Sequence, residues 1–167
     1  MKKIGIFYGS TAGATAKVAA MIASRLGVAE KDIHNVAHTA PSAVADYDVI
    51  IFGASTRGAG DLQEDMDTFL DGVASLDLSS KMVAIFGLGD EQMTDSFCNS
   101  VGEIYKRLHD THAMFFAPFD NDDYTYSHSD SDVKGMIVGL CIDDVNKPEA
   151  TEARVDAWCE EIKREIA

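Results

Sequence analysis

Three stretches of this chain are rich in Gly, Ala, Ser and Thr, and each stands at the end of an apolar run. The first, Gly9-Ser10-Thr11-Ala12-Gly13-Ala14-Thr15, leaves Ile4-Gly5-Ile6-Phe7-Tyr8 and opens a segment of helical periodicity. Small residues let the backbone curl so that its N–H groups point inward at an anion. Ser10, Thr11 and Thr15 add hydroxyl donors, and the start of a helix adds favourable potential. No Lys follows a Gly as in G-x-x-x-x-G-K-[ST], and the spacing is not G-x-G-x-x-G, so this is neither a nucleoside-triphosphate loop nor a dinucleotide fingerprint. Residues 9–16 hold no Lys or Arg, so an anion there would be held by amides and hydroxyls without an ion pair. A well-capped helix start with no ligand is the competing reading of this stretch taken alone.

The second stretch is Gly53-Ala54-Ser55-Thr56-Arg57-Gly58-Ala59-Gly60-Asp61-Leu62-Gln63. The third is Gly87-Leu88-Gly89-Asp90-Glu91-Gln92-Met93-Thr94-Asp95-Ser96-Phe97. Glycine-rich loops at strand ends let a flat ligand approach backbone amides and carbonyls. None of the three sets a nucleophile beside a base. Ser10, Ser55 and Ser96 have no histidine close in sequence, and no pair of catalytic carboxylates stands out. Such a site holds something reactive and does not itself react, which is how protein and cofactor divide the work.

The elements that must position these loops are legible as alternating patterns. Ile4 to Tyr8, Val49 to Phe52 and Met82 to Phe86 are continuous apolar runs, as expected of parallel strands buried on both faces. Asp32 to Val36 is polar enough to be an edge strand. A last strand is expected in two pieces, Ala113 to Phe116 and Gly135 to Ile142. Helical spacing joins Val18, Ile22 and Leu26; then Leu62, Met66, Phe69, Leu70 and Val73; then Phe97, Val101, Ile104, Tyr105 and Leu108; and last Val155, Trp158, Ile162 and Ile166. These are core faces, so Trp158 is a packing residue. The order predicts an α/β three-layer sandwich around a five-stranded parallel sheet in the order 2-1-3-4-5, with ligands beyond the carboxyl ends of strands one, three and four. Ala117 to Lys134 is a long irregular excursion carrying Asp120, Asp122, Asp123, Asp130 and Asp132, read as a solvated face in preference to a cation site.

Composition narrows the function classes. The chain has 167 residues, enough for one domain with a sizeable core. Twenty-eight acidic against 14 basic side chains give a net charge of −14, which repels nucleic acid and is compatible either with basic protein partners or with a role in solubility alone. No apolar run approaches the roughly 20 residues that span a bilayer, and the start is too short and strand-like for a signal peptide. A cytoplasmic chain is expected. Cys98, Cys141 and Cys159 form no C-x-x-C pair and read as buried, reduced thiols. The five histidines make no metal set, and none is expected.

From end to end the chain resembles a long-chain flavodoxin. The first loop is similar to that family's T-x-T-G-x-T phosphate loop. Gly58-Ala59-Gly60-Asp61-Leu62-Gln63 resembles the segment after its first flavin-flanking loop, and Phe86-Gly87-Leu88-Gly89-Asp90 the start of its second. Asp122 to Ser129 and Gly135 to Asp144 resemble the long-chain insertion. The resemblance implies one domain over residues 1–167 with a single FMN held non-covalently at residues 10 to 15, 54 to 60 and 87 to 97. Ser10, Thr11, Ala12, Gly13, Ala14 and Thr15 would surround the 5′-phosphate. Ala54, Ser55, Thr56, Arg57, Gly58, Ala59 and Gly60, with Gly87, Leu88, Gly89, Asp90, Met93 and Phe97, would surround the ring. Ala12 and Ala14 stand where the family has a Thr and an Asn, and Arg57 and Met93 stand where it has aromatic walls, so the ring is expected between Arg57 and Met93. The implied function is a low-potential, one-electron carrier and not an enzyme. The implied partners of this monomer are a reductase donor and an oxidoreductase acceptor with basic docking surfaces, with neither nucleic acid nor membrane involved. Two alternatives stay open: an FMN-dependent oxidoreductase of the quinone-reductase kind, and a flavodoxin relative with weakened FMN binding. A phospho-acceptor receiver is disfavoured, because its acidic positions hold Gly9-Ser10 and Gly53-Ala54 here.

Overall fold

Adjacent residues along the central strands bury into opposite halves of the core. Phe7, Ile50, Phe52, Val83 and Ile85 enter one half, and Ile6, Val49, Ile51, Ala84 and Phe86 the other. The computed structural model describes residues 2–58, 60–120 and 124–167. In chain order its elements are β1 (Ile4–Gly9), α1 (Ala14–Leu26), β2 (Ile33–Asn35), β3 (Val49–Arg57), β4 (Asp61–Leu62), α2 (Glu64–Val73), β5 (Met82–Leu88), α3 (Asn99–Leu108), β6 (Met114–Phe115), β7 (Asp132–Val133), β8 (Met136–Ile137), β9 (Leu140–Ile142) and α4 (Pro148–Ile166). Helices α1 and α4 cover one face through Val18, Ile22, Val155, Trp158 and Ile162. Helices α2 and α3 cover the other through Met66, Phe69, Leu70, Val101 and Ile104. One arginine ties each pair across its surface: Arg25 to Asp156 (2.7 Å) and Glu152 (3.0 Å), and Arg107 to Asp67 (2.5 Å) and Asp71 (2.6 Å). Exposed pairs of this kind are screened by solvent and contribute little, so apolar burial holds the layers together.

The parallel sheet runs β2-β1-β3-β5, and β6 and β9 share the next place. In the strand count of the sequence reading this is the order 2-1-3-4-5, with the fifth strand divided. β6 pairs with the start of β5 (Met82 opposite Met114) and β9 with its end (Phe86 opposite Leu140). The second piece is shorter than expected: Met136 and Ile137 pair antiparallel with β7 outside the main sheet, and only Leu140 to Ile142 join it. Two helical faces also lose their first members. Leu62 belongs to β4, and Gln63 caps α2, its side chain accepting from Met66 N–H (2.9 Å). Phe97 precedes α3 and reaches the core from the loop.

Trp158 is fully buried, and its indole N–H donates to the Ala117 carbonyl (2.8 Å), so it packs with its polar atom satisfied. All three cysteines are free and buried. Among the described residues no group of three or more His, Cys, Asp or Glu is placed to hold a metal ion, and no helix is long and apolar enough to cross a membrane. Asp122 and Asp123 lie outside the described residues; Asp130 pairs with His128 (2.9 Å), and Asp132 accepts from Gly135 N–H (2.8 Å).

Candidate functional site

The carboxyl ends of β1, β3 and β5 lie side by side, Gly9 opposite Ala54 and Ala54 opposite Gly87. The three loops read from the sequence therefore leave one edge of the sheet together.

The first loop is an uncapped helix start. Gly13, the N-cap of α1, sits at φ 96° and makes no side-chain cap, and the first turn carries no acid. That backbone favours glycine. Ser10 Oγ accepts from Gly13 N–H (3.1 Å), and the first helical bond runs from Lys17 N–H to Gly13 O (3.1 Å). The amides of Ala14, Thr15 and Ala16 thus have no acceptor within the helix. α2 offers the contrast: Gln63 caps it, and Glu64, Asp65 and Asp67 fill its first turn. Ser10, Thr11, Ala12, Ala14, Thr15, Ser55 and Arg57 line a cleft of about 240 Å³ over this end of α1. That volume suits one anionic group of a larger ligand. A wider groove of about 640 Å³ lies along the flank of α3, lined by Glu103, Tyr105, His109 and Asp130. It receives no loop from the ligand-facing edge of the sheet, so the smaller cleft, where helix potential and donors converge, is the better anion site.

The second loop is shorter than its residue types imply. Ala54 to Arg57 continue β3, and β4 folds back on it, Thr56 opposite Leu62 and Arg57 opposite Asp61. Gly58 (φ 53°) and Gly60 (φ 113°) make the turn; Ala59 lies outside the described residues. Ala54 is fully buried, and Thr56 Oγ1 accepts from Ser100 N–H (3.0 Å), so both face the packing of α3. Ser100 Oγ in turn donates to the Ala54 carbonyl (3.0 Å). Arg57 is exposed and turns over the first loop, its Nη1 3.4 Å from Thr11 Oγ1. Gln63 Nε2 donates to the same oxygen (3.2 Å). The second loop therefore supplies the cation that the first lacks.

In the third loop, Gly87 and Leu88 close β5 and are buried, Gly89 and Asp90 are half-buried, and Met93 is 44% exposed. Asp90 accepts from Gln92 N–H (2.9 Å) and from Asn146 Nδ2 (2.6 Å). The Phe97 side chain is withdrawn from the surface, packed against Tyr124 and Tyr126 with centroids at 5.2 and 5.0 Å. Its place is beneath the loop as support. Two residues that sequence reasoning left out of the site hold it together. Gln63 stands in the sequence only as the last residue of the second stretch, and its cap on α2 and its bond to Thr11 come from the structure. Asp143, fully buried, accepts from the backbone N–H groups of Glu91 (3.0 Å), Val145 (3.0 Å) and Asn146 (2.8 Å), and the one local signal for it is the Asp-x-x-Asn spacing of a turn.

The family profile of flavodoxins matches residues 6–158. The chain belongs to the flavodoxin family. It is 33% identical to the flavodoxin of Haemophilus influenzae over 168 residues, covering 99% of this chain and 97% of that one. It is 33% identical to flavodoxin 1 of Escherichia coli K12, covering 97% and 93%. Among solved structures, Fusobacterium nucleatum flavodoxin bound to flavin mononucleotide superimposes with a TM-score of 0.90 over 99% of both chains, at 26% identity. As a flavodoxin the chain is an electron-transfer protein and not an enzyme with a substrate of its own.

Proposed function

We propose that this flavodoxin holds one FMN non-covalently across loops 10–15, 54–60 and 87–97 and passes electrons singly, at low potential, between protein partners. The observation that carries this reading is the uncapped N-terminus of α1, opening into a cleft lined by Ser10, Thr11, Thr15, Ser55 and Arg57. Its donors fit a phosphate monoester: the Ala14, Thr15 and Ala16 amides lack helical acceptors, and hydroxyls flank them. The neighbouring flavodoxin structure with FMN supports the same ligand. Bound FMN supplies a ring that accepts and releases electrons. The chain's own part would be to seat the phosphate at the first loop, with Gly58, Gly60 and Met93 as the residues to hold the ring.

The test is direct. The purified chain, titrated with FMN, should take up one equivalent, give a yellow flavoprotein spectrum and quench flavin fluorescence. A flavodoxin reductase should then reduce it, and it should pass electrons to cytochrome c without turning over quinones. Quinone turnover at enzymatic rates would favour the oxidoreductase alternative. Met93, an exposed thioether where the resemblance implies an aromatic wall, favours weaker ring binding, which the dissociation constant reads.

A further inference from the structure

We propose that Arg57 is a ligand of the FMN phosphate and not a wall of the ring; this rests on the FMN reading above. Three observations carry it. First, the guanidinium lines the phosphate cleft with Ser10, Thr11, Ala14 and Thr15, Nη1 lying 3.4 Å from Thr11 Oγ1. Second, among the described residues Arg57 makes no ion pair. Arg25, Arg107 and Arg164 are each held by carboxylates. In a chain with 28 acidic and 14 basic side chains, an arginine with no carboxylate among the described residues within 4 Å is an available anion ligand. Its strand partner, Asp61, sits opposite it in the β3–β4 pair and makes no salt bridge to it. Third, Ala12 and Ala14 contribute only methyl groups to the cleft and its hydroxyls are neutral, so Arg57 is the charged donor in its lining.

The physical choice between phosphate and ring follows from charge. A phosphate monoester carries about −1.5 to −2 at pH 7, whereas the oxidised ring is neutral, and Coulomb attraction scales with the product of charges. The planar guanidinium also matches two phosphate oxygens at once, which an ammonium cannot do. The hairpin fixes Arg57 at the end of β3, so its reach over Thr11 is set by the β3–β4 pairing.

The experiment titrates the apoprotein with FMN and with riboflavin, which has the same ring and no phosphate, following fluorescence quenching at two ionic strengths. Arg57→Gln should weaken FMN by roughly 10- to 100-fold, the range of a lost hydrogen bond to a charged acceptor. It should leave riboflavin within about twofold and flatten the salt dependence of FMN binding. Arg57→Lys should recover part of the loss. Arg57 is exposed, and an unchanged circular dichroism melt would confirm that both variants fold. Equal loss of FMN and riboflavin would assign Arg57 to the ring and overturn the proposal, as would no change in either. A wild-type chain that binds neither flavin would sink the FMN reading itself, and this inference with it.

Discussion

Asp143 has no contact with the cleft, yet it holds the third loop in place. Burial alone would raise its pKa. The N–H groups of Asn146, Glu91 and Val145, with the Asn146 side-chain amide, outweigh burial and hold it below the ordinary 3.8. A carboxylate with a lowered folded pKa contributes stability that is fully present above its unfolded value. That stability is lost as pH falls through the folded value. The acid limb that Asp143 produces therefore lies below about pH 4. Asp143→Asn should cost about 1–3 kcal/mol at pH 7, because buried donors lose a charged acceptor. The gap between wild type and variant should narrow as pH falls below about 4. Urea melts across that range check it, and a gap independent of pH would show that the charge is not what the loop uses.

At the scale of elements, α3 is the keystone of the site. Its N-terminus clamps the end of β3 through Ser100, and its Asn99 Oδ1 accepts from Asp130 N–H (2.8 Å). Ser131 Oγ accepts from Gly102 N–H (3.1 Å) and donates to the Cys98 carbonyl (2.7 Å). The 127–131 segment also reaches the third loop, where Ser127 and His128 N–H donate to the Thr94 carbonyl (2.6 and 2.8 Å). This close approach requires Gly102, since a Cβ there would collide with the Asp130 carbonyl and the Ser131 amide nitrogen. Backbone cannot step aside as a flexible side-chain end can. Gly102→Ala should therefore destabilise the fold by about 1–3 kcal/mol, as overpacking does, and weaken FMN by loosening the third loop. Thermal melts and flavin titration read the two effects. Weakened melting with unchanged FMN affinity would show that the 127–131 segment does not support the site.

The whole molecule carries a net charge of −14 with only three arginines and lysines for every six acids. We expect that field to steer basic partners. Raising ionic strength from about 0.05 to about 0.5 M shrinks the Debye length from roughly 14 to roughly 4 Å. Electron transfer from a reductase with a basic docking face should slow several-fold, because steering raises the encounter rate. Stopped-flow rates against salt check this, and a flat profile would leave the acidity as a matter of solubility alone.

What the sequence determined by itself was local in origin. Buried parallel strands announce themselves as unbroken apolar runs, and helices by the 3.6-residue spacing of their apolar faces. Those two periods, with the right-handed crossover rule, were enough for the layer order, the strand order, the packing role of Trp158 and the convergence of three loops on one sheet edge. Tertiary structure decided the rest. Ala54 to Arg57 have loop-like side chains, yet they extend β3, because β1, β5 and β4 offer them partners. The last strand divides because β5 accepts two separate segments along one edge. Arg57 meets Thr11 across 46 residues, and Gln63 meets the same oxygen across 52. Asp143 holds the Glu91 amide, also across 52. No local period encodes such contacts. They exist only once the sheet has brought distant strand ends to within hydrogen-bonding distance, which is where this site was made.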